Sequence, residues 1–228
     1  LDVDPANVHT HFRKATIEEA LEFAANGMAK AAKDHGDEAV AGFGSAKCSN
    51  EEAYLFQKLI RERFRHNHVD HCTRLCHASS VAALMEGIGS GAVTATFNEA
   101  LNSDLILLIG SNPTANHPVA ATYFKQAVKN GTKMMIMDPR AQQLTHHAEH
   151  FLQFRPGSDV HLLNAMLNVI ITEDLYDKQF VQGRTDNFEA IKDHVATFTP
   201  EAMSELCGIE PEMIRTAARA YATAERAI

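Results

Sequence analysis

The segment Asp70-His71-Cys72-Thr73-Arg74-Leu75-Cys76-His77 sets two thiols and two imidazoles within eight residues, and Gly87-Ile88-Gly89-Ser90-Gly91 follows it. A thiolate is a strong ligand for soft or high-valent metals, and a nucleophile when its pKa is lowered. Imidazole moves protons near neutral pH. Together these are the ingredients of a metal or redox site. Cys72 and Cys76 lie four apart, so a helix would place both on one face. Two readings stand at this point: a metal or redox pair, or small buried hydrophobes, as free cysteines often are. His66, His68, His71 and His77 raise zinc, but the spacings fit no standard structural finger. Cys48 and Cys207 read as core residues, and His146-His147 with His150 as an exposed helical turn.

A second group of candidates lies at strand ends. In open α/β sheets ligands bind in the crevice at the carboxyl ends of the strands. Three such ends carry small or polar residues: Gly44-Ser45-Ala46-Lys47, Gly110-Ser111-Asn112-Pro113 and Asp138-Pro139-Arg140. Glycine lets backbone approach a ligand, Asn and Asp accept from a base or ribose, and Arg grips phosphate through two parallel bonds. Turn chemistry alone also accounts for each loop taken singly. Two consecutive ends with complementary chemistry suit a nucleotide-like ligand. The glycines at 87, 89 and 91 lack G-x-G-x-x-G spacing and follow no convincing strand, which disfavours simple NAD binding by this chain.

The elements that must position these residues follow from periodicity and caps. Thr16-Ile17-Glu18-Glu19 predicts a helix start, with Leu21, Ala24, Ala25, Met28 and Ala31 on one face. Ala39–Gly44 reads as a short buried strand, and Ser49-Asn50-Glu51-Glu52 opens a helix with Ala53, Phe56, Ile60 and Phe64 on one face. Ser79–Met85 reads as helical, and the glycines after it as a loop. Leu105–Ile109 is an all-apolar strand of the kind buried on both faces of a parallel sheet. A helix over Pro118–Asn130, closed by Gly131, and a strand Met134–Met137 complete a βαβ unit. Helices over Val160–Thr172, Asn187–Thr197 and Pro211–Ala224, with a short one opened by Thr199-Pro200-Glu201, make the last third helical. The expected class is α/β: a parallel sheet with flanking helices in Rossmann-like βαβ units.

Composition narrows the function. The 228 residues, 45% hydrophobic and 22% charged, can bury a substantial core. A formal charge of −8 with no Lys/Arg cluster argues against a nucleic-acid face. No apolar run approaches the roughly 20 residues of a transmembrane helix. Four sparse cysteines suit a reducing, cytoplasmic compartment better than a disulfide framework.

At Thr73-Arg74-Leu75-Cys76-His77-Ala78-Ser79-Ser80-Val81, with the glycines and Asn98-Glu99 behind it, the chain resembles the catalytic subunits of molybdenum- or tungsten-dependent formate dehydrogenases. These belong to the molybdopterin oxidoreductase superfamily, and the cytoplasmic NAD-linked type is resembled in particular. The resemblance continues through Asn102-Ser103-Asp104-Leu105, Gly110-Ser111-Asn112-Pro113, His117-Pro118, Asp138-Pro139-Arg140 and Gly157-Ser158-Asp159, over essentially the whole chain. It implies the central domains of the formate dehydrogenase and DMSO reductase fold. Cys76 is implied as the metal ligand (selenocysteine in some relatives) and His77 as its proton-handling neighbour. Gly110, Asn112, Asp138, Arg140, Gly157 and Asp159 match loops that hold a pterin guanine dinucleotide. Ser45-Ala46-Lys47-Cys48-Ser49-Asn50-Glu51 matches a segment lining the cofactor, with Ser45, Lys47, Cys48 and Asn50 as its contacts.

The resemblance therefore implies formate oxidation to carbon dioxide at a molybdenum (or tungsten) bis-molybdopterin guanine dinucleotide centre. Electrons would pass through iron–sulfur clusters to NAD on iron–sulfur/flavin partner subunits. A nitrate reductase, a formate-hydrogen-lyase type subunit and a non-catalytic cofactor-loop module stay open as alternatives. Family members also carry an N-terminal domain with four cluster cysteines and a nearby lysine, a pattern not found in this sequence. The expected downstream arginine and C-terminal cofactor domain are likewise not found. With Leu1 first and Ala227-Ile228 straight after a helical pattern, the chain reads as the middle of a catalytic subunit. It would ligate no [4Fe-4S] cluster and be inactive alone. Two domains are expected: 1–100 bearing the metal-ligand cysteine, and 101–228 binding the dinucleotide-type cofactor.

Overall fold

Leu105–Ile109 is β3 of the computed structural model, which describes residues 6, 7 and 11–228. The chain divides into two compact units, Leu1–Val93 and Thr94–Ile228. In the second, β3, β4 (Lys133–Met137) and β5 (His150–Leu152) form a parallel sheet in that order, with Leu105 opposite Lys133 and Met135 opposite His150. Side chains alternate across a strand, and both sheet faces are covered. Ile106, Met134 and Ile136 pack on Phe124 and Ala127 of α6 (Pro118–Lys129). Leu105, Met135, Met137 and Leu152 pack on the other side against Leu162, Ala165, Met166 and Val169 of α7 (Asp159–Thr172) and Ile214, Ala217 and Ala218 of α11 (Pro211–Thr223). An uninterrupted apolar run is what a strand packed on both faces requires.

The rest of this unit is helical: α5 (Pro113–Asn116), α8 (Lys178–Arg184), α9 (Phe188–Val195) and α10 (Pro200–Cys207). The Thr199 hydroxyl accepts from Ala202 N–H to start α10, and Gly131, at φ +106°, ends the turn after α6. α8 and β5 carried no periodic signal and were not expected from sequence. The three-residue β5 owes its extended form to pairing with β4.

The first unit is smaller. α1 (Ile17–His35) precedes β1 (Gly42–Gly44), α2 (Asn50–Arg63), β2 (Val69–His71), α3 (Thr73–Cys76) and α4 (Ala78–Ile88). β1 and β2 are parallel, with Gly44 opposite His71. The buried cluster is Ala32, Val40, Ile60 and Phe64, ringed by Met28, Ala31 and Val69.

Several expectations are corrected here. The Ala39–Gly44 strand shrinks to Gly42–Gly44, because Asp37–Ala39 forms a 3-10 turn, and Phe43 is 82% exposed. Only the last turns of α1 pack, so Leu21 is exposed: the cluster lies at that helix's carboxyl end. On α2, Ile60 and Phe64 are buried and Phe56 half-buried, whereas Ala53 is exposed. Gly87 lies inside α4 rather than in a loop, and the helix ends at Gly89, whose φ of +72° lets its N–H return to Met85 O. His146 and His147 end a 3-10 turn while His150 belongs to β5, so these three do not share a helical turn. Cys207 is buried, but Cys48 is exposed on the turn after β1 and is no core residue.

Candidate functional site

In the first unit both chemistry-bearing segments leave the carboxyl ends of neighbouring parallel strands. β1 feeds the turn Ser45–Ser49, which α2 closes with a reciprocal cap: Ser49 N–H donates to Glu52 Oε2 at 2.7 Å, and Glu52 N–H to Ser49 Oγ at 3.2 Å. Those Ser49 hydrogen bonds hold the Glu52 carboxyl below its ordinary range. Within the turn, Lys47 N–H donates to Ser45 Oγ at 3.1 Å and the Cys48 thiol to Ser45 O at 2.8 Å.

β2 feeds the single helical turn α3. His71 Nδ1 accepts from Thr73 N–H at 3.1 Å, and Cys76 N–H returns to Cys72 O at 2.9 Å. Cys72 and Cys76 thus stand one helical turn apart. Their thiols have different surroundings. Both cysteines are exposed, but Cys72 Sγ accepts from Ala46 N–H of the β1 turn at 3.2 Å, whereas Cys76 Sγ lies 3.7 Å from His77 Nε2. His77 ends α3 and precedes α4, its ring also exposed.

A cavity of about 450 Å³ opens between α2 and this strand pair. It is lined by Phe43, Gly44, Ser45, Cys48, Glu52, Phe56, Asp70 and His71 among others. Ser45 and Cys48 of the expected contacts face it; Lys47, Asn50, Cys76 and His77 are not among its walls. Asp70 and His71, which head the Cys/His segment, also line it, as does Glu52, which the sequence marks only as part of a helix start. The residue types of the Asp70–His77 segment were legible in sequence, but its pairing with β1, which brings these residues to one cavity, was not.

In the second unit the loops after β3 and β4 are tied together at their carboxyl ends. Gly110, at φ +56°, turns the chain out of β3, and its N–H donates to Met137 O at 2.9 Å. Asn112 Oδ1 accepts from Thr114 Oγ1 at 2.7 Å. Asp138 Oδ1 accepts from Arg140 N–H at 2.8 Å, and the exposed Arg140 guanidinium makes no ion pair among the described residues. Gln142 Nε2 donates to Ser111 O and bridges the two loops, and Gln153 Nε2, just past β5, donates to Pro139 O of the β4 loop at 3.1 Å. Gln142 Oε1 is buried and unpartnered. Gly157, at φ +82°, and Asp159 lie in the turn opening α7, five and more residues past β5. Arg155 draws that turn toward α10, with its N–H on Cys207 O at 2.9 Å and Nη1 on Glu205 O at 2.5 Å. Burial raises the pKa of the Cys207 thiol, which donates to Ser158 O at 3.6 Å. It is a structural thiol.

The donor set tests what metal chemistry fits. A protein-built zinc site needs three or four side-chain ligands, and among the described residues no three His, Cys, Asp or Glu side chains converge. One exposed thiol with an imidazole beside it suits a metal whose remaining ligands arrive with a cofactor. The paired loop ends, with a free guanidinium and an orphaned acceptor, suit a phosphorylated nucleotide.

Comparison with known proteins gives the context. The molybdopterin oxidoreductase family model matches residues 9–227. The alpha subunit of the F420-dependent formate dehydrogenase of Methanocaldococcus jannaschii is 39% identical over 216 residues, 95% of this chain and 31% of that protein. Formate dehydrogenase H of Escherichia coli is 38% identical over 211 residues, 92% of this chain and 30% of that protein. The structure of acetylene hydratase from Pelobacter acetylenicus superposes with a TM-score of 0.74 at 26% identity, over 94% of this chain and 29% of that one. The chain spans about a third of the length of the curated relatives it matches. With its family model covering nearly every residue, this chain belongs to the molybdopterin oxidoreductase family.

Proposed function

We propose that this chain is the central part of a formate dehydrogenase catalytic subunit. The observation that carries the reading is the exposed Cys76 thiol, held one turn beyond β2 with His77 Nε2 3.7 Å away, in a chain 38–39% identical to formate dehydrogenase subunits. Cys76 would hold the metal. The Ser45–Asn50 turn, with Ser45, Lys47, Cys48 and Asn50, would line the cofactor near it. Gly110, Asn112, Asp138, Arg140, Gly157 and Asp159 would hold its nucleotide portions. When bound, a molybdenum or tungsten bis-molybdopterin guanine dinucleotide centre supplies the two-electron oxidation of formate to carbon dioxide.

The chain's own residues supply position and proton handling. Arg140, free of competing carboxylates, is available to clamp phosphate. Gly110, at φ +56°, turns the chain out of β3 into the Ser111–Pro113 loop. His77 Nε2, beside the Cys76 sulfur, accepts and relays the proton released from formate. Iron–sulfur clusters held elsewhere in the full-length subunit would carry the electrons to NAD on a partner subunit in the cytoplasm. Among the described residues no helix is long and apolar enough to cross a membrane.

Replacing Cys76 by Ala in the full-length subunit tests the assignment. Formate oxidation with a dye acceptor falls to background and the metal content drops; retained turnover refutes the ligand. The fold alone does not choose the reaction, since a hydratase shares it. Formate assayed against nitrate therefore separates formate oxidation from nitrate reduction. Supplying NAD and F420 in parallel decides the acceptor, since relatives at 39% identity are F420-dependent.

A further inference from the structure

The Ser45–Ala46 peptide is gripped on both edges by thiols. Cys48 Sγ donates to its carbonyl at 2.8 Å, and Cys72 Sγ accepts from its N–H at 3.2 Å. No cis bond occurs among the described residues, so the carbonyl and N–H point to opposite sides and the two sulfurs do too. The two bonds differ in reach. Cys48 closes its own turn, three residues away, whereas Cys72 joins segments 26 residues apart. Among the described residues it is the sole side-chain hydrogen bond between the turn after β1 and the turn after β2. Cys72 also accepts Cys76 N–H through its backbone carbonyl at 2.9 Å. Through one residue, the Ser45–Cys48 turn is thereby set in register with Cys76.

We propose that Cys72 is a positioning residue that holds the Ser45–Cys48 turn against the Cys76 turn and so fixes the geometry of the cofactor cradle. This rests on the proposed function only for the cradle's occupant; the tie itself is a property of the loop. Sulfur is a weak acceptor, yet here it satisfies a backbone N–H that no other protein group reaches. Deleting it frees the Ser45–Ala46 peptide to rotate, which also breaks the Cys48 bond to Ser45 O.

The test uses the full-length subunit with Cys72→Ala, Cys72→Ser and wild type. Cys48 alkylation by iodoacetamide is followed by peptide mass spectrometry, and molybdenum or tungsten and extractable pterin are measured per subunit. In C72A, Cys48 reacts roughly threefold to tenfold faster, the equilibrium change that losing one hydrogen bond brings. Metal and pterin content fall together. C72S keeps an acceptor and restores both readouts toward wild type. The proposal is overturned if Cys48 reacts at the wild-type rate in C72A, if C72S behaves like C72A, or if Cys48 is freed while cofactor content holds. A wild-type subunit without metal or pterin sinks the proposed function instead, since the Cys48 rates still report the tie. Alkylation of the buried Cys207 would reveal an unfolded C72A protein, and Cys72→Val, which keeps an apolar side chain without the acceptor, then carries the same comparison.

Discussion

Gly42 opens β1 beneath α2, and adding one methyl group there tests the packing that holds the first unit together. A Cβ at residue 42 would lie 2.8 Å from Ile60 Cγ1 and 3.0 Å from two ring carbons of Phe56. Ile60 is 2% exposed and locked among Ala32, Val40 and Phe64, so it cannot retreat, although the half-buried Phe56 ring can swing outward. Overpacking of this kind costs about 1–3 kcal/mol. Loss of glycine's freedom in the unfolded chain returns about 0.4–1 kcal/mol, so Gly42→Ala is expected to destabilise by about 0.5–2 kcal/mol. Gly87, inside α4, has open space where a Cβ would stand, with nothing within 4 Å, and Gly87→Ala should stabilise by roughly 0.5–1 kcal/mol. The unfolded-state contribution is common to both variants, so their difference isolates the overlap with Ile60. Denaturant unfolding of the full-length subunit, with hydrogen exchange of α2 amides to localise the change, reads both. A G42A protein as stable as G87A would refute the packing argument.

Leu162, fully buried between the sheet and the helical layer, should cost about 2–5 kcal/mol when cut to Ala, measured in the same unfolding assay. Arg219 donates to both oxygens of Glu173 at 2.8 Å, and this holds the Glu173 carboxyl below its ordinary range. A carboxyl lowered in the folded state contributes stability above its unfolded pKa, and that contribution is lost as pH falls through the folded value. Arg219→Ala should therefore destabilise at pH 7 and converge with wild type in acid; an equal deficit at every pH would contradict the pairing. Together with Cys76→Ala and the Cys72 series, these variants separate packing, surface charge and site.

The sequence determined the parts whose signal is local. The apolar run Leu105–Ile109 and its partner over Met134–Met137 appear as β3 and β4, because a strand buried on both faces must be apolar throughout. Caps at Ser49 and Thr199 start α2 and α10 where expected. The loops after β3 and β4 were visible as polar breaks in apolar text. What only tertiary structure decided is whatever depends on pairing across the chain. Val69-Asp70-His71 becomes a strand because β1 offers it a ladder, not because its residues alternate. Cys72 and Cys76 read alike in sequence, two thiols four apart. The register of β1 against β2 brings Ala46 N–H to the Cys72 sulfur, whereas the Cys76 sulfur has His77 beside it. Periodicity sets which face a side chain shares, but a hydrogen bond spanning 26 residues exists only once two strands have chosen their register.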